Sequence, residues 1–130
     1  MQKPLLVVME ASISNPLTHE KQLNRLLEDK AEVKVEGSAA DLTVEEYLDY
    51  YILGKRETEK TRKLVQKDQC DMYVGIKHEK DDYKLAENGF ELAEANGIPA
   101  CMMDNYSALK ICDFVDRCLQ GNSPGKKEGV

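Results

Sequence analysis

No block of basic residues runs through this chain of 130 residues, whose net charge is -6. Neutralising a nucleic-acid backbone takes clustered lysines and arginines, so the charge argues against a DNA or RNA partner. It leaves small anions open, because backbone N–H groups hold them locally whatever the overall balance. No apolar run reaches the roughly 18 residues of a membrane helix. No secretory leader pattern precedes the first apolar segment. A cytoplasmic protein without a membrane partner is therefore expected. Histidine is scarce, with only His19 and His78. The four cysteines, Cys70, Cys101, Cys112 and Cys118, include no C-x-x-C pair. Neither residue type shows zinc spacing, so no metal and no cofactor are expected. Three of the cysteines fall in apolar periodic segments, where a reduced thiol behaves as a small hydrophobe. No internal repeat is visible.

What is present is a soluble globular balance, 42% hydrophobic and 32% charged. The length suits one domain with one sizeable core. That domain is expected over residues 1–120, followed by a mobile polar tail over 121–130. "PLLVVMEA", Pro4 to Ala11, is a continuous apolar run and predicts a buried central strand. Asn15-Pro16 supplies a cap and a proline at the first helical position, and Leu23, Leu26 and Leu27 give the helix its inner stripe. "AEVKVEG" alternates and predicts a strand nearer an edge. "TVEE" at Thr43 to Glu46 is a capping box that opens a tyrosine-rich helix, with a charged helical segment over about Arg56 to Lys67. "CDMYVGI", Cys70 to Ile76, predicts a second buried strand. A charged loop, "KHEKDDYKLAE", leads to a helix over Asn88 to Asn96 that stops at Gly97. "IPACMM" predicts a further strand. An amphipathic helix over Ser107 to Leu119 places Ala108, Cys112, Val115 and Leu119 on one face, flanked by Leu109, Ile111 and Cys118.

Strands alternating with helices predict a three-layer α/β domain with a parallel sheet of four or five strands. Ligands in such sheets sit beyond the carboxyl ends of the strands. The loops Glu10 to Asn15, Lys77 to Asn88 and Asp104 to Tyr106 are therefore where a site is expected.

Within "ENGFELAEANGIPACMM", Asn88 and Glu91 have the spacing of N-cap and N3 in a capping box. An ordinary cap needs no ligand. The same geometry serves chemistry: a carboxylate in the first helical turn is kept ionised by the helix dipole. Such a carboxylate can attack an electrophilic sugar carbon. Gly89, without a side chain, would let a ligand approach the backbone. Both alternatives stand at the level of local pattern. Glu87, Glu91 and Glu94 share a helical face, which is best explained by solvation for Glu87 and Glu94.

The order of these pieces resembles a known family. A strand beginning "CDMYVGI", a loop, then "NGFELAEA", "NGIP" and an apolar strand look like the nucleoside 2-deoxyribosyltransferase superfamily, which includes the 2′-deoxynucleoside 5′-monophosphate N-glycosidases. "MEASIS", Met9 to Ser14, is similar to the turn after that family's first strand. The resemblance implies a flavodoxin-like fold and cleavage of an N-glycosidic bond with Glu91 as nucleophile. It further implies a small-molecule nucleoside or nucleotide partner and a homo-oligomer, because members often complete their sites with a neighbour's residues. On this match Ser12 would sit near the sugar or 5′-phosphate, with Asn88 and Gly89 beside it. Ala93 stands where the family's Glu-Leu-Gly has glycine, and the family's base-handling aspartate has no counterpart in "TRKLVQKD". A non-catalytic nucleotide-binding or regulatory protein of the same fold is therefore the alternative.

Further candidates have ordinary explanations beside functional ones. Tyr47, among the tyrosines of the second helix, could stack on a base or pack in the core. Ser12 and Ser14 could donate to phosphate or make turns. Asp82 could meet a ribose hydroxyl or be a solvated loop charge. Asp104 and Asn105 fall at the crevice rim and could bind a ligand or cap the last helix. An acidic pair after the first strand would mark a phosphoacceptor domain, but Glu10 stands alone there.

Overall fold

The structure is a computed structural model and describes residues 3–10, 16–37, 65, 70–77 and 84–121. In chain order the elements are β1 (Leu5–Glu10), α1 (Pro16–Leu26), β2 (Glu32–Gly37), β3 (Met72–Ile76), α2 (Lys84–Ala95), β4 (Ala100–Met103) and α3 (Ala108–Leu119). All strand pairs are parallel, and the sheet order is β2-β1-β3-β4. This is the start of the flavodoxin-like doubly wound order, which reverses direction between β1 and β3. The three-layer α/β fold is thus as expected, with four strands among the described residues. The helix openings at Thr43 and Arg56 lie outside the described residues, as do Ser12, Ser14, Tyr47, His78, Asp82 and residues 122–130 of the tail.

Alternation along each strand sorts side chains into two cores. Leu6 and Val8 of β1, Val33 and Val35 of β2 and Met72, Val74 and Ile76 of β3 face one way. They pack with Leu23 and Leu27 of α1 and Ile111, Phe114 and Val115 of α3. Val7, Met9, Tyr73 and Ala100 face the other way, against Ala86 and Ala93 of α2. The central pair β1 and β3 is buried on both faces, which is why both read as unbroken apolar runs rather than alternating ones.

Local signals placed several helix ends. Pro16 opens α1, where its missing N–H costs nothing. The end of α2 is a Schellman turn: Ile98 N–H donates to the Ala93 carbonyl at 2.8 Å and Gly97 N–H to Glu94 at 3.1 Å. Gly97 has φ 75°, a conformation that disfavours any side chain. Ser107, not Asp104 or Asn105, caps α3, its Oγ accepting from Lys110 N–H at 3.3 Å. The buried face of α3 is rotated from expectation toward Ile111, Phe114 and Val115, and Leu119 is half exposed. Leu26 of α1 is likewise half exposed, leaving Leu23 and Leu27 as the inner stripe.

The largest correction concerns α2. It begins at Lys84, not at Asn88. "KLAE" consists of good helix formers, and the Tyr73 hydroxyl fixes this turn by donating to the Ala86 carbonyl at 2.8 Å. Asn88 is therefore a buried residue of the helix interior rather than its cap.

Candidate functional site

The earlier start of α2 changes the surroundings of Glu91. Four extra residues add about 6 Å of helix before Asn88 and put Glu91 about 10 Å from the helix start. That lies beyond the first turn, where the dipole acts. Glu91 is exposed, and so is Glu94. The capping box is absent, since neither member is at the helix end. Gly89 lies against Tyr73. A Cβ there would stand 2.8 Å from ring Cε2 and closer still to the hydroxyl, so the space above this glycine holds the tyrosine ring.

Asn88 and Glu91 remain neighbours, because residues three apart are side by side on a helix surface. Asn88 is 4% exposed. Its Nδ2 is buried with no hydrogen-bond partner among the described residues. An orphaned buried donor costs about 1–3 kcal/mol, and such atoms mark places where a water or ligand acceptor belongs. A buried amide beside an exposed carboxylate can hold a hydroxyl-bearing molecule on one side and present an oxygen nucleophile on the other. Asn105 and Asp104, by contrast, are exposed at the end of β4. Asp71, which opens the family-like strand, lies at the opposite, amino end of the sheet, where its carboxylate accepts from Leu5 N–H at 2.8 Å.

A second group of side chains occupies the carboxyl-end rim. Glu10 is the last residue of β1 and pairs in register with Ile76, the last of β3. This is the point where strand order reverses, the usual ligand crevice of such sheets. As an even-numbered residue of β1, Glu10 continues the inward row of Leu6 and Val8, and it is 1% exposed. A carboxylate so buried needs hydrogen-bonding partners. His19 of α1 supplies one, with Nδ1 2.6 Å from Glu10 Oε1. The imidazole stacks on the Tyr106 ring, centroids 3.6 Å apart and planes 5° from parallel. Tyr106 in turn donates its hydroxyl to Gln22 Oε1. Burial, then the negative charge of Glu10, pushes the Tyr106 phenol up to about 12, so it stays protonated as a donor.

The sequence reading placed Glu10 and Tyr106 in two of the three candidate loops but gave neither a role, and it missed His19. A legible signal existed. Glu10 has the parity of an inward strand position, and His19 precedes the core residue Leu23 by one helical turn. An acid and a histidine at inward positions of adjacent elements are candidates for pairing.

No protein-family model matches this sequence, and no curated protein matches it. Among the described residues no helix is long and apolar enough to cross a membrane.

Proposed function

We propose that this chain acts on nucleosides or nucleoside 5′-monophosphates, cleaving the N-glycosidic bond or transferring the sugar through Glu91. The observation that carries this reading is the buried amide of Asn88, unpartnered among the described residues and three residues before Glu91 on α2. Asn88 Nδ2 would donate to a sugar hydroxyl, recovering the cost of its burial. The Glu91 carboxylate would then attack the anomeric carbon. As the new C–O bond forms, the C–N bond breaks and its electron pair leaves on the base, which takes up a proton. Water, or the nitrogen of a second base, then displaces the glutamate from the sugar and restores the carboxylate. The order of "NGFELAEANGIP" and the parallel α/β fold are consistent with this proposal. Cytoplasmic location and a homo-oligomer in which a neighbour adds residues to the site belong to it. Sedimentation at several protein concentrations tests the second point.

One observation favours a second reading, non-catalytic nucleotide binding in the same place. Glu91 is exposed, and water weakens a carboxylate as a nucleophile unless the ligand displaces it. Incubation with a panel of deoxynucleosides and their 5′-monophosphates, with chromatography for free base, decides between them. Release of base that disappears in Glu91→Gln supports the enzyme. Saturable binding without release supports the binder, and neither binding nor release removes both.

A further inference from the structure

A buried carboxylate holding an imidazole at the reversal point of a doubly wound sheet is more than a packing detail. An ionised carboxylate only accepts hydrogen bonds, so Nδ1 of His19, 2.6 Å from Glu10 Oε1, donates. That fixes the neutral ring as the tautomer with the proton on Nδ1 and a lone pair on Nε2. Stacking on Tyr106 at 3.6 Å fixes the plane of the ring. Tyr106 is held in turn through Gln22 on the same helix as His19. The ring thus has its tautomer set by one neighbour and its orientation by another, the arrangement that makes an imidazole a base rather than a filler. The His19 side chain is 25% exposed while Glu10 is 1% exposed, so solvent reaches the ring and not the carboxylate behind it. Nε2 has no partner among the described residues. Among the described residues, the groups facing the ring from packed elements are the Glu10 carboxylate from β1 and the Tyr106 phenol from the segment between β4 and α3.

We propose that Glu10, His19 and Tyr106 form a proton-transfer site at the carboxyl ends of β1 and β3, in which His19 Nε2 accepts the proton of an O–H group. Two sources share that chemistry: a sugar hydroxyl of a bound ligand, or a water molecule. In either case Nε2 takes the proton as the oxygen forms its new bond to an electrophilic carbon of the bound ligand, whose bond to the leaving group breaks and carries the electron pair away. The imidazolium so formed is stabilised by the Glu10 carboxylate on its far side and later returns the proton to solvent or to a leaving group. Glu10 is a positioning residue, since it acts only through the ring. The geometry of this site stands apart from the Glu91 reading, on which only the choice of a sugar hydroxyl as the ligand group rests. It lies on the α1/α3 face of the sheet, whereas Glu91 is on α2, which packs against the other face.

Three measurements test it. Long-range proton–nitrogen NMR of the unaltered chain reads the tautomer directly. Nδ1–H with an unprotonated Nε2 is expected, and Nε2–H overturns the proposal. Diethyl pyrocarbonate acylates unprotonated imidazole nitrogens, and the chain has two histidines, so His78 serves as an internal reference under mass spectrometry. His19 is expected to react at Nε2. Glu10→Gln should slow that reaction by about tenfold relative to His78, because the carboxylate that sets the tautomer is lost. Reactivity unchanged in Glu10→Gln overturns the proposal, as does an unreactive His19. Should Glu10→Gln fail to fold, the NMR result on the unaltered chain still decides. Ribose 5-phosphate and deoxynucleosides as added probes separate the two sources. Protection of His19 assigns the proton to a ligand hydroxyl, and Glu10-dependent reactivity without protection assigns it to water.

Discussion

Tyr73 and Gly89 fit together as ring and gap: the tyrosine of β3 occupies the space that a side chain on α2 would need, and its hydroxyl anchors the preceding turn at Ala86. Gly89→Ala should therefore destabilise the fold. Alanine gains about 1 kcal/mol of helix propensity, but overpacking against a fixed ring costs about 1–3 kcal/mol. The contact itself is tested in a Tyr73→Ala background. There the clash is gone and Gly89→Ala should be neutral or stabilising. Chemical denaturation of the four proteins gives the coupling, and additive effects would show that the ring does not set the spacing.

Asn24 joins α1 to the outer strand of the sheet. Its Nδ2 donates to the Val33 carbonyl at 2.9 Å, and its Oδ1 accepts from Val33 N–H, also at 2.9 Å. Glu20 accepts from Val35 N–H at 2.9 Å. β2 is the outer strand among the described residues, and exposed edge amides are templates for association. Asn24→Ala should cost about 1–3 kcal/mol by orphaning the Val33 groups. Combined with Glu20→Ala it should also raise the rate of aggregation, read by light scattering below the melting temperature. A double variant that melts early yet stays monomeric would show that these bonds do not guard the edge.

The strands were legible because each is a short apolar or alternating run bounded by turn residues. The alternation of "EVKVE" even marked β2 as an edge strand. Helix ends with a chemical stop, Pro16 and Gly97, were legible too. The start of α2 was not, because Asn88-Gly89 imitates a cap and only the long-range contact from Tyr73 decides that the helix runs through it. The Glu10–His19 pair was hidden for a related reason. The partners stand nine positions apart in the chain, and neither residue alone carries a motif. Asn88 shows the limit most plainly, since a cap and a buried orphan have the same local sequence.

Cys70 predicts how the fold responds to alkali. The residue is 2% exposed, and its thiol donates to the Met72 carbonyl at 3.0 Å. Burial pushes its pKa up from 9.0 to about 12. Between those values the unfolded chain releases this proton and the folded chain keeps it. Fewer protons on the unfolded state mean that stability falls as pH rises, by about 1.4 kcal/mol per unit for one such group. Below pH 9 the thiol contributes no pH dependence. Denaturation curves at several pH values above 9 should therefore be steeper in their pH dependence for the unaltered chain than for Cys70→Ala. Equal slopes would mean that the thiol ionises as readily inside the fold as outside it. The same burial predicts slow alkylation of Cys70 by iodoacetamide at neutral pH.

Asn88 and Glu91 give the sharpest separation of structure from function. Glu91 is exposed and far from the helix end, so Glu91→Gln removes no helix cap. It should change stability by no more than about 0.5 kcal/mol. Asn88 Nδ2 has no hydrogen-bond partner among the described residues, so Asn88→Ala loses no bond from that donor and should shift stability by less than about 1 kcal/mol. Under the proposed function the two changes nonetheless act differently on ligand. Glu91→Gln should leave nucleotide binding intact and abolish base release, because binding uses the amide and chemistry uses the carboxylate. Asn88→Ala should weaken binding about tenfold, the loss of roughly one well-made hydrogen bond of 1.4 kcal/mol. Calorimetric titration beside a melting curve reads both quantities on the same samples. If Asn88→Ala melts normally and binds as the parent does, the amide is not a ligand contact, and the site on α2 loses the observation that supports it.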